Sequence, residues 1–455
     1  MPGQNNWDGR LETKVADQVD RIVTAFQAAG VNIGVVPAKN GKVDYMYAED
    51  QLLVQDSYAT AVYEFLNPGL RFEAGVVDRI IPGVSRLFLP APLDDTQQRL
   101  TADVALREID RQFGVGVATP NHVLTVAPGS PCPATEPEEV YEGTEPFPSV
   151  CTRNSGAGVL IYIADTGLLQ DAESHPWLAG VQRAVEPDGT VEPWEQLGPI
   201  GANGTPTIPP YVGHGTFVAG VARCMAPEAS IIVSNIFKIA GSVLESDFVK
   251  ELTEALDLGV DIFNLSITTL TRTDLPLLGF SAFQRRLRQY KGVVCVVAAG
   301  NDGVRTPSWP AAYLDMVSVG ALGGDWRGRA SFSNHGGWVD VYAPGRDLIN
   351  AYATGAYTCD DSPYKGQIRK FFGMAKWSGT SFSTPVVAGL IAARMSRTGE
   401  NGKEAAAALL AQARAEAIPS VGAILLPCGR GCGEPARPAC GCCGAGAPAA
   451  RPCVR

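Results

Sequence analysis

The chain is poor in charged residues and has no long run of either sign. Only 18% of its 455 residues are charged, and 47 acidic residues against 37 basic ones give a net charge of −10. The absence of a long basic segment leaves nucleic-acid binding without an electrostatic basis. No stretch of about 18 uninterrupted apolar residues is present, so a membrane span is not expected. The 45% hydrophobic composition is ample for a buried core and predicts about two or three domains.

The first residues lack the features of a secretory signal. The opening segment MPGQNNW has neither a basic region nor an apolar region behind it, and both are parts of a signal peptide. We therefore predict no signal peptide in this chain, and the sequence leaves its cellular compartment open.

Cysteine is sparse until the last residues of the chain. Six of the eleven cysteines lie within residues 427–455, where glycine, alanine and proline are also frequent. Their spacing does not match a paired C-x₂-C zinc site, so no metal site is predicted there and we expect a flexible tail. Cys224 and Cys295 lie in apolar segments and are predicted to be small buried hydrophobic residues. Without a signal peptide, disulfides are not assumed.

The chain has only four histidines: His122, His175, His214 and His335. His175 lies in a loop with proline and tryptophan and His335 in a polar turn, which favours surface or structural roles. His214 differs because it begins an apolar series at helical spacing. A glycine on either side allows other backbone to approach it closely. His214 is therefore the preferred candidate for a general base.

Two further segments place candidate partners of this imidazole at glycine-rich turns. Asp165 ends the apolar run 159–164, a predicted buried strand, which would put its carboxylate at the rim of a sheet. Ser381 precedes a predicted helix, where free backbone N–H groups and the helix dipole favour a developing oxyanion. Each residue also has an ordinary interpretation, as a turn aspartate or a helix N-cap.

A fourth segment ends in an amide that can donate a hydrogen bond. Residues 293–299 have the pattern of a buried strand, and Gly300 and Asn301 follow it. A serine hydroxyl needs a base and a group that orients the base, and the oxyanion needs a donor. Asp165, His214, Asn301 and Ser381 together supply these parts, although Gly-Asn alone is a common turn.

The order of these segments resembles the subtilisin-like serine proteases. The stretches GHGTFVAG, AAGN and GTSFSTP carry the resemblance, which extends over about residues 157–399. It implies that Asp165 orients the imidazole, His214 is the general base and then acid, and Ser381 forms the acyl-enzyme. Asn301 and the backbone N–H of Ser381 would bind the oxyanion. No cofactor is implied for catalysis, and structural calcium is implied for many relatives, although no compact carboxylate cluster marks a site here.

The resemblance also implies a groove for an extended peptide, bound by main-chain hydrogen bonds. The residues expected to line it and its first side-chain pocket are Ser266, Ile267, Thr268, Ala298, Ala299 and Gly300. Members of the family often have glycines where this chain has Thr268 and Thr269, which leaves the width of the pocket open.

The patterning predicts four regions. Residues 1–127 form a small α+β domain, in which a helical extension over 1–42 precedes a ferredoxin-like β-α-β-β-α-β order. Residues 128–156, rich in proline and glutamate, are predicted to be an extended and accessible linker. Residues 157–426 alternate strands and helices, which predicts an α/β domain with a mostly parallel sheet and helices on both faces. Residues 427–455 form the tail.

The position of the first region before a subtilisin-like domain makes it resemble the propeptide of that family. The resemblance implies that it assists folding and that its end occupies the substrate cleft until it is cut, and we predict self-cleavage within 128–156. An unrelated α+β domain is the alternative.

The sequence therefore predicts a serine endopeptidase made as a self-processed zymogen. Its expected partners are a peptide or protein substrate and its own N-terminal domain. Two alternatives stay open. One is a peptide ligase or macrocyclase, in which an amine resolves the same acyl-enzyme, and the other is a latent complex in which the N-terminal domain remains bound as an inhibitor.

Overall fold

The structure is a computed structural model, and it describes residues 11–38, 41–68, 77–89, 100–126, 134–150, 155–201 and 204–427. Two regions with separate sheets pack against each other in this part of the chain. The predicted flexible tail, apart from Pro427, lies outside the described residues, as do Cys132 and Cys151. Cys224 and Cys295 are fully buried, as predicted, and Cys359, which the sequence did not single out, is buried as well.

The described residues of the N-terminal region form one antiparallel sheet and three α-helices. Its elements are α1 (Thr13–Ala28), β1 (Ile33–Pro37), β2 (Val43–Gln55), α2 (Ala59–Leu66), β3 (Val77–Ile81), β4 (Val84–Phe88), α3 (Ala102–Phe113) and β5 (Ala118–Thr125). The strand order β5-β2-β4-β3, with every pair antiparallel, is the ferredoxin-like arrangement. The predicted small α+β unit is confirmed.

The segment before this unit contains more than the predicted helical extension. Strand β1 pairs antiparallel with β2, and Ile33 lies opposite Ala48. The 3.6-residue period of α1 was visible because its apolar face, which includes Val19 and Ile22, is buried. The five residues of β1 carry no comparable pattern, since their pairing depends on the edge that β2 offers.

The larger region is built on a seven-stranded parallel sheet. Its strands are β6 (Leu160–Asp165), β7 (Gln182–Arg183), β9 (Ser230–Asn235), β11 (Ile262–Leu265), β12 (Val294–Ala298), β13 (Val317–Leu322) and β14 (Val341–Pro344), in the order β14-β13-β12-β11-β6-β9-β7. Outside this sheet are the short strands β8 (Thr207–Ile208) and β10 (Ser242–Leu244). All neighbours in the seven-stranded sheet are parallel.

Helices cover both faces of the sheet, which explains why its central strands are apolar on both sides. The helices are α4 (His214–Met225), α5 (Glu245–Ala255), α6 (Leu278–Leu287), α7 (Thr380–Thr398) and α8 (Gly402–Ala415). Phe217 of α4 and Val386 of α7 belong to the buried cluster on one face, and Phe248 of α5 and Phe280 of α6 to the cluster on the other. The predicted mostly parallel α/β fold is confirmed.

A long hairpin, β15 (Leu348–Thr358) with β16 (Ile368–Trp377), was not predicted. Burial alternates along β16, but polar and apolar residue types do not alternate with it. Arg369 is buried, whereas Ile368 and Phe372 on the other face are exposed. The hairpin ends at Trp377, directly before the turn that leads to Ser381, so it forms one side of the candidate site.

Residues 134–150 differ from the accessible linker that their composition predicted, because they bind along this hairpin. Glu138 and Lys376 exchange two backbone hydrogen bonds of 2.8 and 2.9 Å. A carboxylate oxygen of Glu136 accepts from the hydroxyl of Tyr357 at 3.0 Å. The glutamates that suggested a solvated segment are thus partly used as acceptors within the fold.

Candidate active site

Asp165 and His214 form the most direct contact of the candidate site. Asp165 is the last residue of β6, at the carboxyl end of a central strand, and one of its carboxylate oxygens lies 2.6 Å from Nδ1 of His214. The same oxygen accepts from the backbone N–H of Thr166 at 2.8 Å. Both side chains are fully buried. A short bond to Nδ1 fixes the orientation of the ring and leaves Nε2 for another partner.

Glycines allow this approach. Gly213, the residue before α4, has φ +87°, a conformation that favours glycine. A Cβ on Gly215 would clash with the carbonyl oxygen of Gly167, in the turn that follows Asp165. The strand end and the helix start can therefore meet only with glycine at these positions. Nε2 of His214 makes no hydrogen bond to any residue that the structure describes.

Aromatic contacts join His214 to the helix that carries Ser381. The ring of Phe382, the residue after Ser381, lies 5.3 Å from the imidazole between centroids. Trp377 of β16 meets the same imidazole edge-on at 5.7 Å. Its indole N–H donates to the carbonyl of Thr135 at 2.6 Å, so the 134–150 segment supports the wall of the site. Sequence patterning missed Trp377 because β16 itself was missed.

Ser381 lies in the first turn of α7, and Pro385 follows within the same helix. The helix begins earlier than predicted, at Thr380, which places the proline four residues after Ser381. Proline has no N–H to donate to the residue four positions before it. The carbonyl of Ser381 instead accepts from the hydroxyl of Ser266 at 2.9 Å. Ser266, predicted to contact substrate, thus also holds the backbone of Ser381.

Asn301 is held by Thr380. Its side-chain oxygen accepts from the backbone N–H and from the hydroxyl of Thr380, both at 2.9 Å. The same hydroxyl accepts from the N–H of Gly300 at 3.1 Å. With the oxygen engaged, the amide NH₂ of Asn301 is the group left to donate to a substrate oxygen. The sequence predicted no role for Thr380, because a bond between residues 79 positions apart leaves no local pattern.

The predicted groove residues lie on two neighbouring segments. Asn264 and Leu265 of β11 lead into Ser266, Ile267 and Thr268, which are buried, and β12 leads into Ala298, Ala299 and Gly300, which are buried as well. The hydroxyl of Ser308 and the amide of Asn334 both donate to the carbonyl of Ala299, at 2.6 and 3.0 Å. These bonds fix the backbone at Ala299, directly after β12.

The groove holds the end of β5 from the N-terminal region. On one side β5 pairs antiparallel with β10, where Leu124 lies opposite Val243. On the other side Thr125 and Thr268 exchange backbone hydrogen bonds of 3.2 and 3.4 Å. The N–H of Val126 donates to the carbonyl of Gly241 at 3.1 Å. An extended strand paired on both edges is the way that a sheet edge binds a peptide.

Glu195 is a buried carboxyl next to the Asp165–His214 pair that the sequence analysis did not identify. It lies in the excursion between β6 and α4 and accepts from the N–H of Gly213, the residue before His214, at 2.8 Å. Burial raises its pKa well above the ordinary value, while its bonds to Gly213 and Thr166 act in the opposite direction. Glu195 therefore connects the two turns that carry Asp165 and His214.

The described residues offer no support for a carboxylate-rich metal site. Among them, no group of three or more histidine, cysteine, aspartate or glutamate side chains is arranged to hold an ion. Within the same part of the chain, every helix is too short or too polar to cross a membrane.

A model of the subtilase family matches residues 156–429. Three similar proteins are a thermophilic serine proteinase from Bacillus sp. (strain AK1), thermitase from Thermoactinomyces vulgaris and an intracellular serine protease from Paenibacillus polymyxa. The first is 35% identical over 42% of this chain and 44% of its own length. The second is 31% identical over 52% and 74%, and the third 31% over 56% and 72%. The chain thus spans less than half of the first and about three quarters of the other two.

Among solved structures, fervidolysin from Fervidobacterium pennivorans, described as a keratinolytic enzyme related to subtilisin, is similar with a TM-score of 0.55 and 18% identity. The similarity covers 84% of this chain and 60% of fervidolysin. That share exceeds what residues from 156 onward can supply, so the likeness in fold includes part of the N-terminal region.

Proposed function

The chain belongs to the subtilase family of serine proteases, and on this premise we propose that it is a serine endopeptidase whose acyl-enzyme forms on Ser381. The observation that carries the proposal is the 2.6 Å contact between Asp165 and Nδ1 of His214. It sits beside the helix that begins with Thr380 and Ser381. An oriented base beside the helix that carries Ser381 supports the proposal.

The proposed reaction follows from the roles of these groups. Nε2 of His214 takes the proton of the Ser381 hydroxyl as its oxygen attacks a peptide carbonyl, and Asp165 stabilises the imidazolium that forms. The amide of Asn301 and the N–H of Ser381 donate to the oxyanion. His214 then protonates the leaving amine, and water, activated by the same imidazole, releases the acyl group. No cofactor takes part in these steps.

Substitution of the nucleophile tests this proposal. Ser381→Ala is expected to lower kcat by a factor on the order of 10⁶, because no acyl-enzyme can form. Ser383→Ala provides a matched control, since Ser383 is buried in the same helix and its hydroxyl bonds to no described residue. Peptide hydrolysis by both purified variants is the measurement. Retention of activity by Ser381→Ala would exclude Ser381 as the nucleophile.

We also propose that the chain is made as a zymogen that cuts itself. The supporting observation is the position of the two described residues on either side of residues 127–133. Val126 is bonded to Gly241 in the groove, and the N–H of Ala134 donates to the carbonyl of Ser378, shortly before Ser381, at 3.1 Å. Both flanks are therefore held close to the proposed nucleophile. Residues 134–150 remain bound to the hairpin after a cut upstream of them.

We propose that the cut lies within residues 127–133, a range that overlaps the start of the segment 128–156 predicted from the sequence. Mass spectrometry of the purified chain should find a new N-terminus within that range, and the Ser381→Ala chain should stay uncut. A cut of equal extent in the Ser381→Ala chain would mean that another protease makes it. An intact chain in a preparation that hydrolyses peptides would reject the zymogen.

A further inference from the structure

We infer that the endopeptidase requires a small side chain on the residue whose carbonyl is attacked, and that Thr268 imposes this limit. The inference rests on the proposed function, since it concerns the substrate of the same site. It names the substrate class as peptides with alanine, glycine or serine before the cleaved bond.

The register of the groove identifies which residue of a bound peptide meets the nucleophile. Thr125 lies opposite Thr268 in an antiparallel bridge. In an antiparallel pair, the residue two positions further along the bound strand lies opposite the residue two positions earlier on the wall. That wall residue is Ser266, whose hydroxyl is bonded to the carbonyl of Ser381. A substrate paired like β5 therefore presents to Ser381 the carbonyl of the second residue after the one opposite Thr268.

The side chain of that residue must fit between the segment Ser266 to Thr268 and the segment Ala298 to Gly300. Alternation along the first segment places Ser266 and Thr268 on the same side of it. The hydroxyl oxygen of Thr268 lies 3.4 Å from the point where a Cβ on Gly300 would stand. The Cα of Gly300 is one bond from that point, so the hydroxyl oxygen of Thr268 lies no more than about 5 Å from the Cα of Gly300.

An aromatic ring does not fit into a gap of this width. Carbon atoms pack at about 3.5–4.0 Å, so a ring between two walls needs them roughly 7 Å apart. A methyl or hydroxymethyl group is the size that the space admits.

The sequence of the chain agrees with this limit. The second residue after Thr125 is Ala127, which has the smallest side chain that carries a Cβ. Leu124, before Thr125, is fully buried in the cluster that also contains Phe248 and Ile267. Test peptides should therefore keep the order Leu-Thr-Val before the variable residue, so that only the first pocket is probed.

The test compares two fluorogenic peptides that differ only in having Ala or Phe after Leu-Thr-Val. The full chain, after self-processing, is titrated with a fluorophosphonate and assayed with both peptides, as is the Thr268→Gly variant. We expect the wild type to cleave the Ala peptide with at least a tenfold higher kcat/KM. Thr268→Gly should raise kcat/KM for the Phe peptide, relative to Ala, by about tenfold or more, as expected when space for about one methylene or more is opened.

Thr268→Ala and Thr253→Ala complete the test. Thr268→Ala keeps a Cβ and should shift the ratio in the same direction by less. The Thr253 hydroxyl donates to the carbonyl of Val249 within α5, so Thr253→Ala should leave the ratio unchanged. Faster cleavage of the Phe peptide by wild type that a separate sample shows to be labelled, or an unchanged ratio in both Thr268 variants, overturns the inference alone. Absence of labelling and of hydrolysis of both peptides overturns the proposed function, and the inference with it.

Discussion

At the scale of single residues, Thr380 holds the side chain of Asn301, a role that the sequence did not predict. One hydroxyl and one backbone N–H fix the oxygen of Asn301, and the same hydroxyl holds Gly300. Preorganised donors stabilise an oxyanion because they need no rearrangement at the moment of reaction. The amide of Asn301 is preorganised here through Thr380, the neighbour of the proposed nucleophile.

Thr380→Val should therefore lower kcat with little change in KM. The variant keeps the shape of the side chain and removes its hydroxyl. Asn301 then loses one of its two hydrogen bonds to Thr380, and a bond of this kind contributes about 1 kcal/mol net. We expect a loss of roughly tenfold in kcat, measured by steady-state kinetics. Thr384→Val is the matched control, because the Thr384 hydroxyl donates to the carbonyl of Thr380 and does not reach Asn301. A change confined to KM would contradict the role of Thr380.

Glu195 gives the site a pH-dependent stability. Burial raises the pKa of its carboxyl well above the ordinary value. Above about pH 4.5, where the unfolded chain has released this proton, the folded chain still holds it. The unfolded state then binds fewer protons, so the free energy of unfolding falls as pH rises.

Glu195→Gln should remove this dependence, since glutamine cannot ionise and can still accept from Gly213. In a Ser381→Ala background, which prevents self-digestion, the melting temperature of Glu195→Gln relative to its parent should increase between pH 5 and pH 8. Glu195→Leu should destabilise at both pH values, because the N–H of Gly213 loses its acceptor. A pH-independent difference between Glu195→Gln and its parent would show that Glu195 is ionised throughout.

At the scale of elements, β5 belongs to two regions. It is an edge strand of the N-terminal sheet and also the strand in the groove, paired with β10 and with Thr268. His122 of β5 is buried at this junction. Its Nδ1 lies 3.2 Å from a carboxylate oxygen of Glu245 in α5, and its Nε2 accepts from the N–H of Arg272 at 3.2 Å. The other carboxylate oxygen of Glu245 accepts from the backbone N–H of Gly279, in the first turn of α6.

His122→Ala should speed the appearance of peptidase activity after self-cleavage. The substitution leaves Glu245 and the N–H of Arg272 short of a buried partner, at about 1–3 kcal/mol for each group. We expect the cut N-terminal fragment to dissociate at least about tenfold more readily. The measurement is the delay between the cut, followed by mass spectrometry, and full activity.

His175→Ala serves as the control for this experiment. His175 packs against Trp177, away from the junction, with tilted rings and 5.0 Å between ring centroids. Its removal should leave the delay unchanged. An equal delay in wild type and His122→Ala would mean that the His122–Glu245 contact does not hold the fragment in the groove.

At the scale of the whole molecule, the sequence predicted the parallel sheet and its covering helices because the apolar residues of these elements follow regular patterns along the sequence. β6, β11 and β12 are apolar runs buried on both faces, and α4 and α7 carry apolar residues at helical spacing. Glycine-rich turns next to these elements also identified four candidates, which are Asp165, His214, Asn301 and Ser381. The structure places Asp165 and His214 in contact and holds Asn301 next to Ser381 through Thr380.

The parts that the sequence did not predict depend on contacts between distant segments. The β15–β16 hairpin buries Arg369 and exposes Phe372, so its alternation disagrees with residue type. Residues 134–150 looked solvated because of their glutamates, but Glu136 and Glu139 accept hydrogen bonds from the hairpin. Docking of α1 onto the hairpin loop, through two bonds of 2.6 Å from Arg21 to Asp360, likewise has no local signature.

The central claim is that Ser381 is a nucleophile activated by His214. The most direct measurement is peptide mapping by mass spectrometry after the self-processed chain has reacted with a fluorophosphonate. The account predicts one adduct, on Ser381, and its loss in the His214→Ala variant. An adduct on another residue, or none on Ser381 in a preparation that hydrolyses peptides, would contradict it.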